Sequence, residues 1–497
     1  MYLANQNGNA PRAAWLEKLC RDVIGLDVQY TLATGERTRR IYLDSTASTL
    51  RLQVVQEVLD KFQPYYSNTH SLLHFGAKLS TKEYQWAHEM VLAFVRANPE
   101  IYTAFFVGSG TTGGMNRVAR TLREKRPQRD VVITTIMEHH SNDLPHRKHF
   151  REVVHIPAAM AAHSLGCVNL ARLEEALREH SGKVNYVALT GVSNVTGIIN
   201  PIHEIAEMAH RYGALIVVDA AQMAAHVPIR MSGHDNPARD LDVLVFSGHK
   251  IYAPGSPGVV ITRKDLFAGI EPQEVGGGMV DAVYINRYTQ SQKFPDREEA
   301  GTPNICGAIG LAAALYALNK IGMEVVAEEE RKLIEYAIAK LSTVDDAIIY
   351  GETDSSLCNR YGAISFNLKN MDHGLTAAAL NDYFNISVRN ECFCAHPYVR
   401  EMVTMSLAEE AERLSDEELE QLAELHRGMV RASFGVYSTK KDVDALVAAL
   451  KHISANKDFY REHYVRLPSG DYEHKTFRFD HKKVFSIQGE VEAFLAA

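Results

Sequence analysis

From about residue 100 to 265, short apolar runs rich in β-branched residues alternate with stretches in which apolar positions recur every three or four residues. The runs are VVITTIM from 131, NYVALTG from 185, ALIVVDA from 214, LDVLVFS from 241 and GVVIT from 258. Between them lie NLARLEEALREH from 169 and PIHEIAEMAHRYG from 201, the second opening on Pro and closing on Gly as a helix does. This pattern predicts an α/β domain built on a mostly parallel sheet with crossover helices. After residue 305 it changes to two long helical stretches, a strand AISFNL from 363, a helix near 375–384 and a strand VRASF from 430, which predicts a smaller α+β domain.

The expected divisions are an N-terminal segment 1–40 packing on the small domain, a large domain over 41–310, a small domain over 311–455 and an appended tail over 456–497. Residues 401–429 are charged and helical, with Ser415 and Glu418 at capping-box spacing, and read as an inserted surface element. The tail is aromatic and charged around a Pro-Ser-Gly turn, which predicts a hairpin. No internal repeat and no low-complexity tract interrupts the chain.

Composition narrows the function classes. The 497 residues are 46% hydrophobic and 23% charged, so the chain should fold throughout. A net charge of -8, without any Lys/Arg block, argues against nucleic acid as a partner. There is no apolar run of membrane-spanning length, and the N-terminus lacks the order of a signal peptide, so the expectation is a cytoplasmic protein without a membrane partner. The six cysteines are scattered except for Cys392 and Cys394, none has zinc-ribbon spacing, and reduced thiols with no metal are expected.

Chemistry concentrates where strands end. In VFSGHKIYAPG a buried-type strand runs directly into Ser247, Gly248, His249 and Lys250. Ligands of open α/β sheets bind at that carboxyl edge, and a partly desolvated lysine suits a covalent link to a carbonyl cofactor; an exposed loop lysine is the plainer alternative. ALIVVDAAQ ends in Asp219, with Gln222 three residues on. A carboxylate buried there needs a cation, such as the protonated ring nitrogen of pyridoxal phosphate, unless it merely caps the next helix. In FVGSGTTGGMNRVA, glycines give way to Thr111 and Thr112 at a helix start, a setting that suits a phosphate. IMEHHSND places His139 and His140 at the same edge, where an imidazole could stack on a cofactor ring or simply form a polar turn. Four modest signals converge on one cofactor.

With YLDSTAST, GTTGGMNRVA, EHHSND, SNVTG, VDAAQ, FSGHK, VGGGM, EAGTPN and VRASFGVYSTKKDVDAL, the chain resembles class V enzymes of fold-type I that use pyridoxal 5'-phosphate, and among them the cysteine desulfurase and selenocysteine lyase group, from about 41 to 451. The resemblance implies that Lys250 carries the cofactor, Asp219 pairs with its ring nitrogen, Gln222 donates to the ring oxygen and His139 stacks on the ring. It places Asn194 near the ring oxygen or the substrate carboxylate. Thr111, Thr112, Ser247 and His249 would hold the phosphate, with Thr302 reaching it from the other subunit of a homodimer. Arg431 would clamp the carboxylate of a small amino-acid substrate, for which a guanidinium fork is suited.

In the desulfurases a mobile loop carries a nucleophilic cysteine five residues after an arginine, and Cys394 stands five residues after Arg389. The implied reaction removes sulfur from L-cysteine through an enzyme persulfide, leaving alanine, with a protein as a possible sulfur acceptor. Three departures leave other outcomes open: Gly113 where the family usually has a glutamate, the divergent HSLLHFGAKLS stretch and the 401–429 insertion. A class V lyase, transaminase or epimerase without persulfide chemistry is one alternative. A catalytically silent cofactor- or partner-binding relative is another, against which intact Lys250 and Asp219 argue.

Overall fold

The computed structural model describes residues 9–162, 164–411, 415 and 427–497. Its large sheet has seven strands: β1 Tyr102–Val107, β2 Val131–Thr135, β3 Glu152–Ile156, β4 Val184–Thr190, β5 Leu215–Asp219, β6 Val243–Ser247 and β7 Gly258–Arg263, in the spatial order β1-β7-β6-β5-β4-β2-β3. From β6 across to β3 neighbours are parallel, whereas β7 runs antiparallel to both β6 and β1. Every residue of β1, β2, β4 and β6 is buried, as strands covered on both faces must be. Apolar composition reveals such strands but not their direction, and the reversal of β7 is a finding of the structure.

The helices Gly110–Lys125, Leu170–Glu179 and Ile202–Arg211 follow β1, precede β4 and precede β5. Helices Ile305–Ile321 and Met323–Leu341 then meet at 81°, broken at Gly322, whose φ of +94° lies where a side chain is strained. Among the described residues no single helix is long and apolar enough to cross a membrane.

The second sheet is antiparallel: β8 Ala347–Ile349, β9 Ala363–Leu368, β10 Arg389–Glu391 and β11 Met429–Ser433, ordered β8-β9-β11-β10. Its core, with Ile364, Phe366, Leu380, Val430 and Leu446, also takes in Leu43, because Ile41–Tyr42 pairs with Ile386–Ser387. Helix Lys440–Ala455 closes this core and starts on a capping box between Thr439 and Asp442.

The described part of the N-terminal segment, residues 9–40, does not pack on the small domain as one piece. The hairpin Gln29–Thr31/Arg37–Arg39 does, through Ala33 N–H to Asp382 O at 2.8 Å and Asn385 Nδ2 to Thr38 O at 2.7 Å. Helix Asn9–Arg21 instead places Leu16 in the large-domain core. Within 401–429, the helix His396–Ala411 covers the beginning; Glu418 of the capping pattern lies outside the described residues. The tail forms the hairpin Tyr464–Arg466/Tyr472–His474 and adds an exposed helix, Ile487–Ala496, that its composition does not announce.

Phe246 sits fully buried one residue before the end of β6. Phe246→Ala is expected to cost about 3–5 kcal/mol, read as a lower denaturant midpoint with the secondary-structure signal unchanged in water.

Candidate active site

Parallel strands deliver their last residues to one edge. Asp219 ends β5 in register with Thr190 of β4, and Ser247 ends β6. A 3-10 turn, Gly248–Lys250, follows Ser247 at once and holds Lys250 half-buried over this edge. Among the described residues Lys250 Nζ makes no hydrogen bond or ion pair. Burial lowers its pKa to about 8, the attraction of Asp219 opposing and the repulsion of Arg431 assisting. A far larger share of the amine is therefore uncharged near neutrality than in an ordinary lysine, and the uncharged form is the one that attacks a carbonyl.

Asp219 is 3% exposed, and burial raises its pKa against a hydrogen bond from Ala221 N–H at 2.9 Å and the charge of Lys250. A cationic ring nitrogen would supply the counter-charge that burial leaves wanting. His139 opens the 3-10 turn His140–Asn142, and its Nδ1 accepts Ser141 N–H at 3.0 Å, which leaves that nitrogen unprotonated. Burial, then the charge of Lys250, pushes His139 down to about 4, so a neutral, flat imidazole faces the edge. Gln222 Nε2 donates to Thr46 O at 2.9 Å, fastening the YLDSTAST segment beside Asp219.

The glycine turn before helix Gly110–Lys125 is built by contact. Ser109 and Gly110 have φ of +54° and +60°. A Cβ at Gly110 would stand 2.6 Å from Ser247 Oγ, and one at Gly258 would stand 2.4 Å from Gly110 O. The turn thus lies flush on β6 and β7. Thr111 N–H donates to Ser247 Oγ at 2.7 Å, the two hydroxyls share a 2.8 Å hydrogen bond, and Thr112 shares one of 2.7 Å with Ser141 of the His139 turn. Gly113 has a steric reason: a Cβ there would fall 2.1 Å from Gly108 O, so no side chain fits without moving the turn. Hydroxyls and N–H groups at a helix start suit a phosphate. His249, pushed down to about 4 by burial and Lys250, bonds Ser48 Oγ through Nδ1 at 3.3 Å.

Opposite this edge, Arg431 of β11 is 3% exposed. Its Nη1 donates to Asn194 O at 2.9 Å, its Nη2 pairs with Asp44 at 3.5 Å, and its guanidinium lies 4.6 Å above the Phe393 ring. Its Nε is buried without a partner among the described residues, a donor left for an anion. Arg389 is next to Arg431 across the strands and binds Asp44 at 2.8 Å, so one carboxylate holds two guanidinium groups. Asn194 Nδ2 donates to Phe393 O at 2.8 Å and so holds the cysteine loop.

That loop has three non-glycine residues in the left-handed region: Glu391, Phe393 and Cys394, at φ +95°, +49° and +55°. Cys394 is exposed, and its carbonyl accepts His140 N–H at 2.7 Å, tying the loop to the His139 turn. Cys392 is half-buried, donates to Arg427 O at 3.4 Å and has its thiol raised by burial and Glu391. The site thus unites Lys250, Asp219, His139, Gln222, Thr111, Thr112, Ser247, His249, Asn194, Arg431, Arg389 and Cys394. Thr302 is not joined to it within one chain: it is exposed and accepts from Asn68 Nδ2 at 3.2 Å.

Sequence reasoning passed over two residues. Asp44, in YLDSTAST, is the carboxylate between the two arginines. Glu138, beside His139, is 2% exposed and accepts from Thr135 Oγ1 and Asn142 Nδ2, both at 2.6 Å; Asn142 continues to His146 at 3.1 Å, and His146 to Tyr186 at 2.8 Å. Burial, offset by those two donors and reinforced by Asp219, raises Glu138 to about 8. A carboxyl abutting the paired histidines was the available signal.

Because the unfolded glutamate releases its proton near pH ~4.5 and the folded one only near 8, ionisation above pH 5 favours the unfolded chain, and Glu138 makes stability fall between pH 5 and 8. Glu138→Gln should flatten that fall, measured as denaturant midpoints across pH 5–9.

The family Aminotransferase class-V matches residues 41–446. A probable cysteine desulfurase of Halalkalibacterium halodurans is 33% identical over 414 residues, 83% of this chain and 92% of that protein. A cysteine desulfurase of Serratia proteamaculans is also 33% identical, over 83% of this chain and 93% of its own. Among solved structures, the apo cysteine desulfurase of Thermococcus onnurineus superimposes with a TM-score of 0.73 at 28% identity, covering 88% of this chain and 98% of that one. The Escherichia coli cysteine desulfurase in its S-sulfonic acid form gives 0.67 at 28% identity, with 85% and 95% covered. With the fold, the carboxyl-edge lysine and acid, and a match across most of its length, the chain belongs to the class V aminotransferase family and is cysteine desulfurase-like.

Proposed function

We propose that the protein is a pyridoxal-phosphate-dependent cysteine desulfurase that takes sulfur from L-cysteine onto Cys394 and leaves alanine. The observation that carries this reading is the tie between Cys394 O and His140 N–H, which holds an exposed thiol on the turn that also presents His139. Bound there, the cofactor supplies an electron sink conjugated to the substrate α-carbon.

Lys250 Nζ would provide the amine that links to the cofactor, and Asp219 would hold a proton on its ring nitrogen. Neutral His139 would lie against the ring, and Thr111, Thr112, Ser247 and His249 would hold the phosphate. The Arg431 Nε and the fork it belongs to take the substrate carboxylate. Lys250 Nζ, displaced by substrate, then serves as the base that removes the α-proton. The Cys394 thiolate attacks the substrate sulfur: an S–S bond forms, the substrate C–S bond breaks, and its electron pair stays with the carbon skeleton, which is protonated to alanine. A sulfur-accepting protein would meet the persulfide on this exposed loop.

The shared-site homodimer belongs to the same proposal. Asn68 and Thr302 bring two segments together, and Leu73, Phe75 and Ile285 are almost wholly exposed. Such side chains call for a covering surface. A partner that covers them and shares a site would bury about 2,000 Å² or more in total. Sedimentation at micromolar concentration should give a dimer, and a cofactor-loaded monomer would refute the shared site.

Mass spectrometry decides the chemistry. After incubation of the holoenzyme with cysteine, the peptide containing Cys394 should carry one added sulfur, and Cys394→Ser should lose at least 100-fold of sulfide release while its cofactor absorbance persists. Active turnover with no sulfur on that peptide would favour a class V lyase or transaminase. Lys250→Ala should abolish turnover under either chemistry, and borohydride should fix the cofactor to Lys250 alone.

In the cofactor-free protein, the rate of pyridoxal-phosphate capture should rise between pH 7 and 9 with a midpoint near 8, since burial of Lys250 favours the free amine. Absorbance stopped-flow reads it; a midpoint near that of ordinary lysine would contradict the geometry.

A further inference from the structure

We propose that Cys167 and Cys358 form a redox-responsive thiol pair, oxidised to a disulfide by hydroperoxides, that staples the large domain to the segment anchoring the cysteine loop. Among the described residues no other pair of cysteines from the two domains lies together. Cys167 lies on the strand Leu165–Val168 of a hairpin beside the large sheet, and Cys358 lies in the turn that leads from the small domain's β8 to its β9. A Cβ at Gly166 would stand only 3.0 Å from Cys358 Sγ, so Cys358 is packed onto the hairpin backbone directly beside Cys167. Glu352 N–H to Leu165 O at 3.0 Å holds the two segments in register a few residues away.

Burial raises the thiols of Cys20, Cys306 and Cys392. Cys167, beside Cys358, is instead lowered, its neighbour's thiol being the first cause. A thiolate stabilised by a neighbouring thiol is the arrangement of an attacking and a resolving cysteine. Both residues are half-buried, and a cavity of about 400 Å³ lined by Cys358, Arg331, Thr353 and Arg360 brings a small hydroperoxide up to the pair on the Cys358 side. The step balances: the Cys167 thiolate takes the terminal hydroxyl oxygen of the hydroperoxide as the O–O bond breaks, giving a sulfenic acid and an alcohol. The Cys358 sulfur then attacks the Cys167 sulfur, an S–S bond forms and water leaves.

The consequence runs through backbone hydrogen bonds. The chain after Cys358 grips the SNVTG turn: Ile199 N–H binds Asn359 O at 3.1 Å, Tyr361 N–H binds Gly197 O at 2.8 Å, and Arg360 Nε binds Thr196 O at 2.7 Å. Asn194 of that turn holds the cysteine loop at Phe393 O. Oxidation therefore fixes the anchor of the Cys394 loop without touching Lys250 or Asp219, and should slow turnover while leaving cofactor binding unchanged.

Cys394 is itself oxidisable, so the test uses the full-length Cys394→Ser holoprotein treated with a stoichiometric alkyl hydroperoxide. Non-reducing peptide mapping should join the peptide of Cys167 to that of Cys358, and dithiothreitol should separate them. The thermal unfolding midpoint should rise on oxidation and return on reduction. Adding Cys358→Ser, or Cys167→Ser where the first variant folds poorly, should remove both effects. In wild type, oxidation followed by gentle reduction of Cys394 with a protein thiol reductant should leave turnover several-fold slower until dithiothreitol is added. Free, alkylatable thiols at both positions after treatment, or crosslinks to other cysteines, would overturn the proposal.

Discussion

Everything at the carboxyl edge of the large sheet depends on keeping ionisable groups out of water without pairing them fully. Asp219 is buried with a single backbone donor and the nearby lysine for company. Its immediate neighbours are held neutral: His139 by burial beside Lys250, and Glu138 by burial beside Asp219. A second full anion next to Asp219 would be repelled, and a full cation on His139 would repel the lysine. The edge is therefore poised for a ligand that is cationic in one place and anionic in another. Such a site is costly when empty, which is the usual condition of a site built to bind strongly.

The opposite wall is organised by a carboxylate in the other sense. Asp44 neutralises two arginines that strand pairing would otherwise leave side by side, and it comes from the YLDSTAST segment, which bridges to Ser433 at the end of β11. Beyond Asp44, Arg431 donates to Asn194 O and lies over the face of Phe393, so the guanidinium, the SNVTG turn and the cysteine loop form one packed unit. The strained backbone of Glu391, Phe393 and Cys394 persists because this unit and His140 hold it from two sides. The loop can then present a thiol to solvent while its neighbours stay fixed.

Much of this was legible in the chain. β2, β4, β5, β6 and β7 announce themselves as dense β-branched runs, and the residues that end them, Asp219 and Ser247 with Lys250 just beyond, were readable because buried strands ending in polar groups are unusual. The reversal of β7 was not readable, since an apolar run carries no direction. Nor was Asp44, whose importance comes from strand pairing between residues far apart in sequence. Glu138 looked like part of a polar turn because burial, which makes it matter, is a property of the fold. Cys167 and Cys358 looked like two unrelated thiols for the same reason. Gly113, which stood out as a departure, turned out to be demanded by the carbonyl of Gly108.

The antiparallel strand β7 sets the order in which the molecule can be made. β1, with the glycine turn that follows it, joins the sheet only through β7, so the turn has no surface to lie on until the chain has been synthesised past residue 263. The other wall waits longer still, because Asp44 must find Arg431 near the far end of the sequence. On the ribosome, β2 to β6 can pair as they emerge, whereas the apolar β1 must remain unpaired for more than a hundred residues of elongation. The glycine turn is thereby completed only once residue 263 has emerged, and the nascent chain's exposed β1 becomes the segment that a chaperone would need to cover.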